Sequence, residues 1–189
     1  MTLSGPDLMI DDGLVIDASL SDPSAFAELF DRHWTSIFAF CVSRAGASGE
    51  DIAAETFKVA FDRRDRFDLT YRDARPWLFG IATNLLRHHF RSDQRAQRAG
   101  ARILALHPRA PSGEPGDELE ARSLTPELAA ALAALSQEER ETLLLLAWAE
   151  FDYAQIAQSL DIPIGTVRSR IHRARTHVRA YLTQESSDD

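Results

Sequence analysis

Apolar residues recur at three- and four-residue intervals along this chain and nowhere alternate with polar ones over any length, a pattern of helices rather than strands. Alanine and leucine far outnumber valine, which points the same way. The expected fold is all-α. A first helix should follow Ser21-Asp22-Pro23, an N-cap candidate with proline in the first turn, and turn Phe26, Leu29, Phe30, Ile37, Phe38 and Cys41 to one face. Gly46 to Gly49 should break it, with Ser48 capping a second helix to about Phe61. In that helix Ile52, Phe57 and Ala60 share one face, and Asp51 and Glu55 stand i,i+4 on another. A charged turn over 62–73 leads to a third helix from about 74–77 to Arg91 or beyond, with Leu78, Ile81, Leu85 and Phe90 inward.

Residues 107–123 break the pattern: Pro108, Pro111, Pro115, Gly113 and Gly116 stand among acids, with few large apolar residues. Such a stretch reads as a flexible linker between two small helical domains. Beyond it, Thr125-Pro126-Glu127 starts a helix, and Ser136-Gln137-Glu138-Glu139 is a capping box for the next, over about 137–149. A short helix over 153–160, a tight turn at Asp161-Ile162 and a longer helix from Pro163 to about Leu182 complete the chain. The expected organisation is an acidic, disordered leader (1–23), a first domain (24–98), the linker (99–123), a second domain (124–183) and an acidic tail (184–189).

The chain has 189 residues and a mass of 21.1 kDa, with 44% hydrophobic and 26% charged residues, as in ordinary globular proteins. Its longest apolar run, Leu143 to Ala149, is far below the ~20 residues of a membrane span, and no membrane insertion is expected. The leader carries no Lys or Arg and does not resemble a secretory signal. A single cysteine, Cys41, excludes an internal disulfide and a multi-cysteine zinc site, and suits a reducing cytoplasmic compartment. The net charge of −8 would argue against nucleic acid were it evenly spread. It is not: the five acids of residues 1–24 face no base, whereas 162–184 holds five arginines and no acid.

The helices at 153–160 and 163–182 meet the needs of a helix-turn-helix, with Ala157, Ile162 and Val167 where the crossing wants small or apolar residues. At 100° per residue, Ile164, Val167, Ile171, Ala174 and Val178 fall in one inward arc. Gly165, Ser169, His172 and Thr176, flanked by Arg168 and Arg173, lie opposite. Arginine can grip a guanine edge with two hydrogen bonds, and hydroxyls can bond phosphates or bases, so this face suits the major groove. A merely solvated basic helix would need neither the capped partner helix nor the turn. In the first domain, Arg63, Arg64, Arg66, Phe67 and Tyr71 of the charged turn and Asn84, Arg87, His88 and Arg91 of the third helix combine cations with a pocket wall, as single-stranded DNA requires. Trp77 stands at the start of that helix, where a core role suits it better than base stacking. His88 and His89 point about 100° apart on a helix and make no metal site. Cys41 reads as an inert core residue. No phosphate loop, nucleophile elbow or catalytic carboxylate pair occurs, so neither a cofactor nor enzymatic activity is expected.

Residues 153–175, YAQIAQSLDIPIGTVRSRIHRAR, resemble the −35-reading region 4 of extracytoplasmic-function sigma factors, and LAALSQEERETLLL resembles the helix before it. Independently, FAELFDRHWTSIFAFCVSR resembles the start of sigma region 2, DIAAETFKVAF its polymerase-binding helix, and RPWLFGIATNLLRHHFR its −10-reading helix. The resemblance covers roughly 24–182, in the family's order. It implies an alternative sigma factor that joins bacterial core RNA polymerase through the β′ clamp helices and the β flap. Asp51, Glu55 and Phe57 would then meet the polymerase, and Thr166, Arg168, Ser169, His172, Arg173 and Arg175 the −35 element. The −10 element would meet Arg64, Arg66, Trp77, Asn84, Arg87 and Arg91.

The resemblance also implies promoter DNA and an anti-sigma factor as partners. Two departures stand out. Asp161 replaces a common glycine in the turn, where aspartate tolerates the left-handed conformation, and Ala54 replaces a frequent glutamine. The alternatives are a free-standing helix-turn-helix regulator with an N-terminal helical domain, which would bind palindromic duplex DNA unaided, and a protein–protein adaptor.

Overall fold

A computed structural model describes residues 11–104 and 126–185. Among them are eight α-helices and no strand: α1 (Asp12–Ser21), α2 (Phe26–Ala45), α3 (Gly49–Asp62), α4 (Arg75–Leu104), α5 (Pro126–Ala133), α6 (Gln137–Ala147), α7 (Tyr153–Leu160) and α8 (Ile164–Glu185). Helix α4 runs through the start of the expected linker, and residues 105–125 lie outside the described residues, as does the tail beyond 185.

The leader differs from expectation, because residues 12–21 form a helix. Asp11 caps α1 by accepting the Gly13 N–H at 2.9 Å, and Val15 and Ile16 are buried. Its first acid faces inward rather than to solvent. The Asp12 carboxylate accepts from the Ala74 N–H at 2.9 Å, bonds His33 Nε2 at 2.8 Å and pairs with Arg32. Burial works against its charge, and the bonds from His33 and the Ala74 N–H outweigh it, holding the carboxyl below its ordinary 3.8. This contribution to stability is therefore whole above pH ~3.8 and lost only as the pH falls below that value. Counting charges in a sequence cannot separate such an acid from a solvated one.

Asp22 and Pro23 start a 3₁₀ turn, as their order suggested, and α2 follows. Its core face is Phe26, Leu29, Ile37, Phe40 and Cys41. Phe30 is not inward but 37% exposed, and Phe38 is half-buried. With Trp34 they form an aromatic row with centroids 4.9 and 5.7 Å apart, about 100° round the helix from the core face. Ser48 makes no cap bond, because its backbone is already helical: Gly46, at φ 53°, ends α2, and a 3₁₀ turn runs straight into α3. The two helices touch at Gly49, where a Cβ would fall 2.4 Å from the Val42 Cα. Burial pushes the Cys41 thiol up to about 12, so it is inert.

In α4 the fully buried positions are Leu78, Phe79, Ala82 and Leu86, while Ile81, Leu85 and Phe90 are only half-buried. The inward face is shifted because α4 has neighbours on two sides. Helices α2 and α3 cover one side, and α7 of the second unit covers the other. Phe79 meets Phe151 edge-on at 5.2 Å, so the apolar core runs continuously from the first unit into the second. Gly80 marks the closest approach, where a Cβ would lie 2.5 Å from the Ser159 carbonyl oxygen. In the second unit the Ser136–Glu139 capping box is formed, and Arg140 of α6 donates to the last carbonyls of α5, at Leu132 (2.9 Å) and Ala133 (2.8 Å).

Alanine replacing glycine in an exposed helix interior raises stability by ~1 kcal/mol. At position 80 the sign should reverse. Gly80→Ala is expected to lower stability by about 1–3 kcal/mol through overpacking, read by thermal unfolding, and to enlarge the radius of gyration in X-ray scattering.

Candidate nucleic-acid and polymerase surfaces

The turn between α7 and α8 is built from local hydrogen bonds. Asp152 accepts the Gln155 N–H at 2.8 Å, and the Gln155 side chain accepts the Asp152 N–H at 3.0 Å, which starts α7 sharply. Asp161 ends it in the left-handed conformation (φ 52°, ψ 52°), as expected for the residue standing where glycine is common. The Ile162 N–H returns to the Ala157 carbonyl at 3.1 Å. Helix α8 then leaves with Val167, Ile171 and Ala174 buried and Val178 half-buried. Ile164 departs from the expected inward arc and is 42% exposed.

Opposite the core, Arg168, Ser169, His172, Arg173, Arg175 and Thr176 are exposed, and Thr166 is half-exposed. Ser169 and Thr176 donate to carbonyls of their own helix at 2.9 Å, leaving their oxygens outward as acceptors. Arg173 lies 3.2 Å from Glu139, and His177 lies 3.5 Å from it. The residues singled out for the −35 element thus share one helix, but not one function at rest. Arg168 leads the open face, Arg173 is tethered to α6, and Arg175 lines a groove with Leu143, Val178 and Leu182.

The residues singled out for the −10 element are scattered in role. Arg66 and Arg91 are exposed, as is Asn84, which accepts from Arg87 at 3.3 Å. Arg64 is turned inward: it donates to the Phe61 (2.6 Å) and Ser19 (3.2 Å) carbonyls and lies 4.0 Å over the Phe61 ring. Trp77 is half-buried against Phe67 at 5.1 Å, the packing role that its position suggested. Arg87 crosses to the second unit, donating to both oxygens of Glu141 through Nε at 2.8 and 2.9 Å and again through its terminal nitrogen. Glu141 is 1% exposed and also accepts from Gln137 at 3.0 Å. This partner was invisible in sequence, since Glu138, Glu139 and Glu141 look alike within a capped helix start.

On α3, Asp51 and Glu55 are exposed, and Lys58 lies 3.2 Å from Glu55. Phe57 is buried on the core side of α3, 4.9 Å from Phe30 and 5.9 Å from Trp34. The aromatic groups that α2 brings against Phe57 are Phe30, 37% exposed, and the half-buried Trp34. The sequence reading put Phe30 on the core face of α2 and assigned Trp34 to no face.

Two family models match in order: "Sigma-70 region 2" over residues 29–96, from α2 into α4, and "Sigma-70, region 4" over 126–178, from α5 into α8. The ECF RNA polymerase sigma factor SigW of Bacillus subtilis is 31% identical over 85% of this chain and 90% of its own. The chain belongs to the extracytoplasmic-function sigma factors of the sigma-70 family. SigL of Mycobacterium tuberculosis is 30% identical over 90% of this sigma factor and 96% of its own length. Among solved structures, CnrH in complex with the cytosolic domain of CnrY superposes with a TM-score of 0.63 at 25% identity, covering 92% of this chain and 98% of that one. The sigma factor RpoE of Bartonella quintana, solved with the anti-sigma factor NepR, gives 0.58 at 25% identity, covering 84% and 96%. This sigma factor directs transcription initiation through its region 2 and region 4 units, which bind core RNA polymerase and promoter DNA. No helix among the described residues is long and apolar enough to cross a membrane.

Glu141→Ala should strand Arg87 against a buried surface. The expected loss is about 2–3 kcal/mol, near the lower end for breaking a buried pair because Arg87 keeps some solvent. Arg87→Met combined with Glu141→Met should recover most of that loss in urea unfolding, since neither charge is then left alone.

Proposed function

We propose that α8 reads the −35 element as duplex in the major groove, through Thr166, Arg168, Ser169, His172, Arg173 and Arg175. The −10 element is taken by α4 and the turn before it, with Arg66, Asn84 and Arg91 presented directly and Trp77 forming a wall. Arg64 shapes the turn, and Arg87 joins after exchanging Glu141 for phosphate. Asp51 and Glu55, with Phe57 on the core side of the same helix, dock on the β′ clamp helices, and residues 124–183 meet the β flap. Residues 24–98 and 124–183 act as the two domains, spanned by 99–123. The protein performs no reaction of its own; the chemistry belongs to the polymerase, in the cytoplasm where polymerase and promoter meet. An anti-sigma factor would restrain it, in line with the partners named for the two structural relatives.

One observation carries this reading: an exposed acidic face on α3 and an exposed, acid-free cationic face on α8 stand in one chain. A self-sufficient repressor needs only the second. Sigma-free core polymerase with this protein should give discrete transcripts from genomic promoter fragments. No transcripts, no co-elution with core and tight duplex binding by the protein alone would favour the free-standing regulator.

Two variants separate the surfaces. Arg168→Ala should weaken use of a −35-dependent promoter by about 1–3 kcal/mol with core affinity unchanged. Asp51→Lys with Glu55→Lys should abolish co-elution with core while the melting temperature stays within a few degrees. Co-elution of the double variant would remove the docking assignment.

A further inference from the structure

Arg168 and Arg173 share the outward face of α8 but start from different states. Arg168 makes no ion pair among the described residues. Arg173, 58% exposed at its side chain, brings its Nε to 3.2 Å from Glu139 Oε1. Glu139 belongs to α6, and its side chain is only 8% exposed. The two oxygens of that carboxylate have separate duties. Oε2 accepts from the Ser136 N–H at 3.2 Å and from its hydroxyl at 3.0 Å, which closes the capping box. His177, one turn beyond Arg173, brings Nδ1 to 3.5 Å from the same Oε2. Oε1 is left to Arg173. Burial works against the Glu139 charge, and the two bonds from Ser136 with the neighbouring His177 and Arg173 outweigh it, holding the carboxyl below its ordinary 4.5. The carboxylate is thus held at the start of α6 whether or not Arg173 meets it.

Holding α8 in place does not require this pair. Val167, Ile171 and Ala174 are buried already, and Ala174 packs in one apolar cluster with Leu132 and Leu135. An ion pair with one partner mostly in water adds little to such packing. What the pair fixes is a direction. Arginine reads guanine by presenting two N–H groups together to O6 and N7 of the base edge. A solvated arginine gives up much of its rotamer freedom to do so. Contact through Nε restrains the guanidinium and spends neither of its terminal nitrogens. Among the described residues, no hydrogen bond or second ion pair engages those two nitrogens.

We propose that Glu139 is a positioning residue for promoter recognition: it holds Arg173 by Nε, so that the two terminal nitrogens meet O6 and N7 of one guanine in the −35 element. Glu139 itself touches no DNA. Its effect on specificity passes through Arg173 alone, and the Ser136 cap keeps it in place to do so. The proposal rests on the reading that α8 takes the −35 duplex in the major groove.

The test is transcription by the reconstituted holoenzyme from a promoter library randomised across the −35 element, giving a base preference at each position. Glutamine is the replacement of choice for Glu139, because a capping box accepts either residue at this place. An amide has only one oxygen, and with that oxygen kept by Ser136 its NH2 turns to Arg173, donor against donor. Arg173→Ala should flatten a guanine preference at one position by about fivefold or more. Glu139→Gln should flatten the same position by about two- to fivefold, with the other positions, core co-elution and Tm unchanged. Added to Arg173→Ala, Glu139→Gln should cost nothing further at that position, since the arginine it positions is gone. An unchanged profile for Glu139→Gln, a sharper preference at that position or an equal loss at every position would each overturn the proposal. A sharper preference would make Glu139 a restraint on Arg173, and an equal loss would make it a prop for α8 as a whole. Arg168→Ala, run alongside, separates this failure from that of the underlying reading. If Arg173→Ala alters the profile and Glu139→Gln does not, only the role of Glu139 falls. If Arg168→Ala alters it and Arg173→Ala does not, the base contact of Arg173 falls, and the role of Glu139 with it. If none of the three alters it, the −35 assignment of α8 falls as well.

Discussion

A carboxylate that water hardly reaches decides how the two units of this sigma factor meet. Glu141 is almost wholly buried, so the structure must supply its carboxyl oxygens with the hydrogen bonds that water would have given. It does so with the Nε and one terminal nitrogen of the Arg87 guanidinium and the Gln137 amide. Arg87 comes from α4 and Glu141 from α6, so satisfying one buried charge aligns the units along α4. The apolar contacts follow from that alignment: Phe79 on Phe151, and Gly80 under the Ser159 carbonyl. An ion pair of this kind adds little net stability, since desolvation offsets most of its attraction. Its effect is on geometry, because any other docking of the units would leave a charge alone.

The same arrangement separates the two nucleic-acid surfaces. The outer face of α8 is open to solvent apart from the contacts of Arg173 and His177 with Glu139. The α4 surface has one of its cations turned toward the second unit instead. The two surfaces therefore start from different costs: one meets DNA as it stands, and the other first gives up a charge-assisted contact.

Much of this was legible in the sequence, and the reason is local. The Ser136 cap, the left-handed Asp161 and the buried row Val167, Ile171, Ala174 depend on neighbours within a few residues, and each formed as its residue types suggested. What was illegible depends on partners far along the chain. Asp12 reads as part of an acidic leader until residues 33 and 74 are seen to close around it. Phe30 and Phe38 fit the inward face of α2 by spacing, and only the placement of α3 turns them into an outer aromatic row beside Phe57. Among the candidate DNA residues the same limit holds. Sequence identifies arginines on suitable helices, but the engagement of Arg64 by Phe61 and Ser19, and of Arg87 by Glu141, is settled by tertiary contacts at separations of up to 54 residues.

The seam at Gly80 ties the two units of this chain to each other. A helix without a side chain at that position admits a carbonyl from the opposite unit, and the opposite unit presents that carbonyl where α7 happens to pass. A region 4 borrowed from a relative brings its own α7, with another curvature and another residue at the crossing, onto an α4 shaped for the original. Chimaeras that join the halves of different relatives should then inherit promoter contacts intact and yet lose the resting arrangement.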